Sequence, residues 1–368
     1  MKKLLLLGGG HAHVHVLKTL ALDRLDNVQV TLISPYARQV YSGMLPGWVA
    51  GHYAIGQCVI PLPPLCRAAR VGFAETACER IDLAARTVHC ADGSQHAFDV
   101  LSIDTGPVAN TAMIPGAANA IAVRPIETFI DAYSGVAREI TERRASGKSI
   151  DIAFVGAGAA GIELALAMGY AYRDANVNFT LISAANTLPG SVGPRLARVL
   201  EERGFRLLTG KMAARIDAHR VHLQDGEVIE ADHIFVSTGA SAAAWPRLAG
   251  LATNDAGFIL IDRHLQSISH PGIFAAGDCA TMQHAPRPKS GVYAVRAGPP
   301  LAENLRRCLN EQPMKDYTPQ ERSLYLISTG DQYAIASWGD WTWQGKWVWR
   351  WKDRIDRAFM AKYALTDS

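Results

Sequence analysis

One stretch of this chain occurs twice, and the repetition limits what it can fold into. Residues 3 to 34 read KLLLLGGGHAHVHVLKTLALDRLDNVQVTLIS, and residues 149 to 183 read SIDIAFVGAGAAGIELALAMGYAYRDANVNFTLIS. Each copy runs from an apolar strand through a glycine-rich turn and a helix to a second strand ending in Thr-Leu-Ile-Ser. Apolar runs of this length followed by helical periodicity are the β-α-β pattern of a dinucleotide-binding unit. Two such units, a length of 368 residues and a remaining C-terminal segment suit two domains with an appendage.

The glycines carry the chemistry. In the second copy Gly156, Gly158 and Gly161 follow the strand directly. The first glycine permits the tight turn, the second lets a pyrophosphate approach the backbone, and the third lets helix and strand pack closely. The free amides at the helix start then face the phosphates. Gly8 and Gly10 hold the first two positions in the first copy, but His13 stands where the third glycine belongs. This substitution predicts a widened helix–strand contact. His11 and His15 share a helix face while His13 points elsewhere, so no three-histidine metal site is expected. His11, beside Gly10 at the helix start, is a candidate hydrogen-bond donor to a cofactor pyrophosphate. Glu163 falls on the first turns of the second helix. It is either a solvated carboxylate favoured by the helix dipole or a group beside a nicotinamide ring.

Shorter signals follow in the same order. Residues 102–106 and 236–239 each close an apolar strand with Thr-Gly, and PGIFAAGDCA at 271–280 reads as a strand ending in Gly277-Asp278. A carboxylate at that strand end can accept hydrogen bonds from a ribityl chain. A helix is expected from about Lys289 onward. Its amino end, with Lys289, would oppose negative charge on a bound group, the alternative being a solvated loop lysine. Near the C-terminus six of eight tryptophans cluster at 338, 341, 343, 347, 349 and 351. Trp341/Trp343 and Trp347/Trp349/Trp351 alternate as on two short strands with Gly345 at the turn, and 352–364 suits an amphipathic helix with Ile355, Phe359, Met360 and Tyr363 on one side. Tryptophan mixed with Lys and Arg suits a membrane interface, and an aromatic face packed internally or in a homodimer is the other reading.

A net charge of +3 gives no electrostatic case for nucleic acid. The opening MKKLLLL imitates a secretion signal, but its apolar run is too short and no cleavage site follows, so a buried strand is expected. Six cysteines without a C-x-x-C pair point to a reduced, cytoplasmic setting. Cys279 reads as a structural thiol, and the separation of Cys58 from Cys66 does not establish a redox pair.

The order of these motifs resembles the pyridine nucleotide-disulfide oxidoreductases, flavoproteins with two dinucleotide-binding domains. The segments GGGHAHVHVL, YSGMLPGWVAGHY, RPKSGVYAVRAGPPLAENL and WRWKDRIDRAFM are similar to the NADH dehydrogenase-like flavoprotein found alone or fused to selenide, water dikinase. YSGMLPGWVAGHY also resembles a loop of type II NADH dehydrogenases and sulfide:quinone oxidoreductases. The resemblance implies an α/β fold of two Rossmann-like domains: an FAD domain from residues 1–113 and 250–322, an NAD(P)H domain at 114–249, and a small β-α element at 323–368. It implies cofactor contacts at Gly8, Gly10, His11, Ser34, Pro46, Thr105, Gly106, Gly156, Gly158, Gly161, Gly239, Gly277, Asp278 and Val292, with Glu163 and Lys289 catalytic. Hydride would pass from NAD(P)H to FAD and on to an acceptor, a quinone by resemblance. Selenium or sulfur chemistry and a non-enzymatic redox switch are the alternatives. Peripheral contact with the inner face of a membrane accompanies the quinone reading. Ser34 and Ser183 replace the acidic residue that usually holds a ribose, and no arginine follows Ser183 to hold a 2′-phosphate, so NADH is favoured only slightly.

Overall fold

The computed structural model describes residues 1–109 and 114–364. Residue 113, the expected end of the first segment, and residues 365–368 of the C-terminal segment lie outside the described residues.

The first repeat builds β1 (Lys2–Leu7), α1 (His11–Leu22) and β2 (Val28–Ser34). With β3 (Gly72–Glu75) and β4 (Val100–Ile103) it forms a parallel five-stranded sheet in the order Ile273–Ala275, β4, β1, β2, β3. Leu4 to Leu7 are almost fully buried, as a central parallel strand covered on both faces requires. The apparent secretion signal is therefore core. The second repeat repeats this arrangement: β5 (Ile121–Ala122), β9 (His233–Val236), β6 (Ile150–Val155), β7 (Val177–Ile182) and β8 (Arg206–Leu208) lie side by side in that order, all parallel. Its helix α2 (Ala159–Ala171) follows β6. Each sheet reverses its strand order beside its first strand, and the carboxyl ends of the strands there open a crevice.

The first sheet draws its last strand from beyond the whole second sheet, and α3 (Gly291–Leu309) then returns to pack on α1. At the crossing a Cβ on Gly298 would lie 2.7 Å from the Cβ of His15, so glycine sets how close the helices come.

The C-terminal element departs from the sequence expectation. β10 (Tyr325–Ser328), β11 (Ala334–Trp338) and β12 (Trp341–Gly345) form an antiparallel sheet whose tight turn is at Gly339-Asp340. Gly345, with φ +143°, is not a hairpin turn but the residue before α4 (Lys346–Tyr363). Trp347, Trp349 and Trp351 are therefore helical. The two-residue alternation was overridden by a four-residue one: Val348, Lys352 and Asp356 are buried on one face, and Trp347 stacks on Trp351 at 6.5 Å. Of the expected apolar face, Tyr363 is buried whereas Ile355 is exposed.

Candidate functional site

In the first crevice Gly8 takes a φ of +95°, and a Cβ there would fall 2.4 Å from the Asp104 carbonyl oxygen. The turn needs glycine for both reasons. A cleft of about 400 Å³ opens above it, and Gly8, Gly10, His11, Ser34, Thr105, Gly106 and Asp278 all line it. Gly106, at φ +72°, faces open space. Asp278, just past the strand Ile273–Ala275, pairs with Arg124 at 3.3 Å. Burial pushes its carboxyl up, and Arg124 and Lys289 pull it back.

His11 is held neutral: burial, then the charge of Arg124, brings its ring down to about 4. Its Nδ1 accepts from Gln39 Nε2 at 3.4 Å, which places the ring proton on Nε2, and that atom is buried with no hydrogen-bond partner among the described residues. A donor without an acceptor, an open glycine, an arginine and a helix start around one cleft fit a dinucleotide whose pyrophosphate needs donors.

His13 is fully buried. Its Nδ1 donates to Gly8 O at 2.6 Å, and Nε2 accepts from Ser102 Oγ at 2.8 Å. In the second crevice, a Cβ on Gly161 would lie 2.3 Å from Gly156 O, closer than any real Cβ comes. His13 carries a Cβ and reaches the matching carbonyl of Gly8 through its ring instead. Gly156 repeats Gly8 with φ +107° and Ser237 O at 2.4 Å from its would-be Cβ. Gly158 and Gly239 face open space, as a passing dinucleotide requires.

Asp104 has no counterpart in the second unit, where Ser237 holds its place. Comparing Ser-Ile-Asp-Thr-Gly with Val-Ser-Thr-Gly would have exposed the difference. Its buried carboxylate accepts from the amides of Ala12 at 2.8 Å and His13 at 3.0 Å. The carboxylate fills the space where a Cβ on Gly10 would sit, 2.3 Å away. Gly10 is thus glycine because of Asp104, not only because of a phosphate. Burial pushes Asp104 up to about 7 against those two hydrogen bonds.

The remaining site residues lie apart from this cleft. Gly277 packs on Asp104, its would-be Cβ 2.5 Å from Oδ1. Pro46 is buried in the short helix Leu45–Val49, and Val292 is partly exposed on the first turn of α3. Lys289 precedes that helix, donates to Ala280 O and to Thr281 Oγ1 at 3.0 Å, and lies 4.1 Å from the Phe258 ring centroid.

Glu163 belongs to a group that only the fold assembles. Its Oε1 accepts from Ser328 N at 2.8 Å, and it faces Lys352 and Asp356 on α4. Burial lifts it to about 7 although Lys352 opposes the shift. Lys352 Nζ donates to Gly43 O at 2.5 Å and to Asp356 at 2.7 Å. Burial lowers the ammonium, but the charges of Asp356 and Glu163 outweigh it and hold Lys352 above its ordinary value. Tyr41 donates to Asp356 at 3.1 Å, and Tyr53 to Asp353 at 2.6 Å. Tyr41 also stacks on Phe359 at 4.2 Å, and both rings lie about 6 Å from His11. The helix α4 thus connects Glu163 beside the second crevice to His11 beside the first.

These features coincide with a known family. The sequence model described as pyridine nucleotide-disulphide oxidoreductase matches residues 2–298, and the chain belongs to that family. It is an FAD-dependent oxidoreductase whose cofactors are FAD and NAD(P)H. The NADH dehydrogenase-like protein YutJ of Bacillus subtilis is 25% identical over 330 residues, covering 87% of each chain. A type II NADH:quinone oxidoreductase of Staphylococcus aureus is 23% identical, over 91% of this chain and 89% of its own. Among solved structures, the sulfide:quinone oxidoreductase of Aquifex aeolicus superposes with a TM-score of 0.81 over 99% of this chain and 91% of its own, at 19% identity.

Proposed function

We propose that this protein oxidises NADH and passes the electrons to a quinone. The observation that carries the reading is the layer contributed by α4 and the 41–53 loop, in which Tyr41, Phe359, Lys352 and Asp356 span the distance between the two crevices. FAD, held in the first crevice, supplies the two-electron carrier between nicotinamide and acceptor.

The chain's own residues do the rest. Gly8, Gly10, His11, Ser34, Thr105, Gly106 and Asp278 hold FAD, and Gly277 supports them through Asp104, whereas Pro46 and Val292 lie outside the cleft. Gly156, Gly158, Gly161 and Gly239 hold the nicotinamide dinucleotide. Glu163, near half-protonation at neutral pH, hands a proton to the reduced acceptor and regains it from solvent. Lys289 sets charge beside the flavin through the segment Ala280–Thr281. The thiols speak for a quinone over a sulfur acceptor: burial pushes Cys78, which lines the first cleft, and Cys279 both up to about 12. For NADH over NADPH, the nearby cation Lys211, whose backbone amide donates to Ser183 O, is neutralised by Asp225 and Glu227.

Trp341 and Trp347 are 69% and 54% exposed, and Trp338, Trp351 and Ile355 share the exposure. With Lys346, Arg350 and Arg354 interleaved, this face suits the interface of an anionic bilayer in which quinones dissolve. Among the described residues no helix is long and apolar enough to cross a membrane.

Anaerobic stopped-flow tests the reading. NADH bleaches the flavin absorbance within the turnover time, and a short-chain quinone restores it. Reduction by NADH without restoration by quinone overturns the acceptor assignment.

A further inference from the structure

The two crevices share one backbone and differ in what caps the helix that each supplies. In the second, the residue after β9 is Ser237, which has no carboxylate to offer the start of α2. In the first, the equivalent residue after β4 is Asp104, and its carboxylate takes the N–H groups of Ala12 and His13 on the first turn of α1. α1 has no cap of its own, since Gly10 precedes it. A dinucleotide pyrophosphate is drawn to that same helix end. One helix N-terminus is therefore asked to serve two anions, a buried carboxylate from the chain and the phosphates of the cofactor. No cation pairs with Asp104 among its described contacts. Arg124 is engaged by Asp278, which is itself a second negative group toward Asp104.

We propose that Asp104 is a positioning residue that couples FAD retention to proton uptake: FAD binds to the form in which Asp104 is a neutral acid and leaves when Asp104 ionises. The inference rests on the reading that the first crevice holds FAD. Binding takes one proton from solvent onto a carboxylate oxygen of Asp104, and no bond of FAD is made or broken. As a neutral acid Asp104 still accepts from both amides, so the helix start keeps its geometry while the repulsion is removed.

The titratable groups facing Asp104 come from α1, from the turn at Gly277 and from the segment before α3. On α1, burial brings His11 and His13 down to about 4, so both rings are neutral throughout. From the turn at Gly277, Asp278 is paired with Arg124, and Cys279 is a thiol pushed up to about 12. Lys289, beyond Asp278 and Cys279, is held by Ala280 O and Thr281. Asp104 itself lies at about 7, and two phosphate charges at the end of α1 raise it further.

The test uses the holoenzyme. Purified protein is diluted at pH 6.0 and at pH 8.5, and the fluorescence of released FAD gives the dissociation constant. For the native chain it rises roughly tenfold or more between the two. In Asp104→Asn, whose amide oxygen accepts from the same two N–H groups, it changes less than about twofold and stays near the native value at pH 6.0. Asp104→Ser, which copies the second crevice, gives the same flat profile and serves if the asparagine variant does not fold. One FAD per native chain with the same dissociation constant at both pH values overturns the proposal alone, as does a variant with the native slope. A native chain that retains no FAD at either pH overturns the reading it rests on as well.

Discussion

Replacing Lys352 with methionine keeps the reach of the side chain and removes its charge. In the native chain Lys352 is 9% exposed, and its ammonium donates to Gly43 O at 2.5 Å and to Asp356 at 2.7 Å and faces Glu163. Without it Asp356, 4% exposed, keeps among the described residues only the Tyr41 hydroxyl at 3.1 Å, and Gly43 O loses a charged donor. Removing one member of a buried pair costs about 3–5 kcal/mol, most of it the penalty of stranding the other charge. With an unfolding entropy of about 2.1 cal/mol/K per residue, a chain of this length loses roughly 5 °C in melting temperature. Glu163 also loses the charge that holds its carboxyl down, so its titration moves above about 7. The assays are a melt of the holoenzyme followed by FAD fluorescence, and the pH profile of quinone reduction at limiting quinone. The Lys352→Met variant melts lower, and its profile shifts to higher pH. Lys352→Met/Asp356→Leu recovers most of the melting temperature, because neither charge is then stranded, but not the native profile. A single variant within about 1 °C of native, or a double variant less stable than the single, refutes the account of a coupled buried pair.

Three further outcomes follow from the same geometry. Gly158→Ala places its Cβ in open space and leaves the melting temperature unchanged, yet raises the KM for NADH at least roughly tenfold, whereas Gly161→Ala drives a Cβ to 2.3 Å from Gly156 O and destabilises the fold by about 1–3 kcal/mol; paired melts and kinetics separate the two. Glu163 lies at about 7, above its unfolded value, so the native state binds the extra proton between roughly pH 4.5 and 7 and stability falls as pH rises through that window; Glu163→Gln, measured by urea unfolding, gains about 3 kcal/mol over native at pH 8 and nothing at pH 4.5. Trp341→Ala/Trp347→Ala lowers co-sedimentation with anionic liposomes at least roughly fivefold while reduction of flavin by NADH in solution is unchanged; equal sedimentation removes the membrane face, and a loss of dimer by light scattering assigns it to a second subunit.

The repeat was legible because its signals are local: a run of leucines, glycines at fixed spacing and a helical period. The same locality explains the misreading of Trp347, Trp349 and Trp351. Alternating tryptophans favour a strand, but the spacing of Val348, Lys352 and Asp356 gives a helix a face to bury, and burial decides. Glu163 stands out in the sequence by its position two residues past Gly161, yet nothing local gives its environment. Its hydrogen-bond donor Ser328 is 165 residues away, and Lys352 is further still. Arg124 carries no motif at all; it pairs with a residue 154 positions later.

His13 was visible as a broken motif, but its meaning was not, because the compensation lies on another strand. In the second unit Gly161 lies close to the Gly156 carbonyl, and Phe235 holds the place that Ser102 holds in the first. A histidine at position 13 needs an acceptor for Nδ1–H and a donor for Nε2, and Gly8 O and Ser102 Oγ are those partners. The backbone N–H groups of Ala12 and His13, on the same turn, go to Asp104. His13, Ser102 and Asp104 thus stand in place of the Gly161, Phe235 and Ser237 of the other crevice, and the His13 ring and the Ser102 hydroxyl satisfy each other. Changing His13 to glycine alone strands a buried serine hydroxyl and opens a void beside the Gly8 turn. The two halves of this chain keep one backbone plan, but they have become different binding sites by changing groups of residues that hydrogen-bond one another.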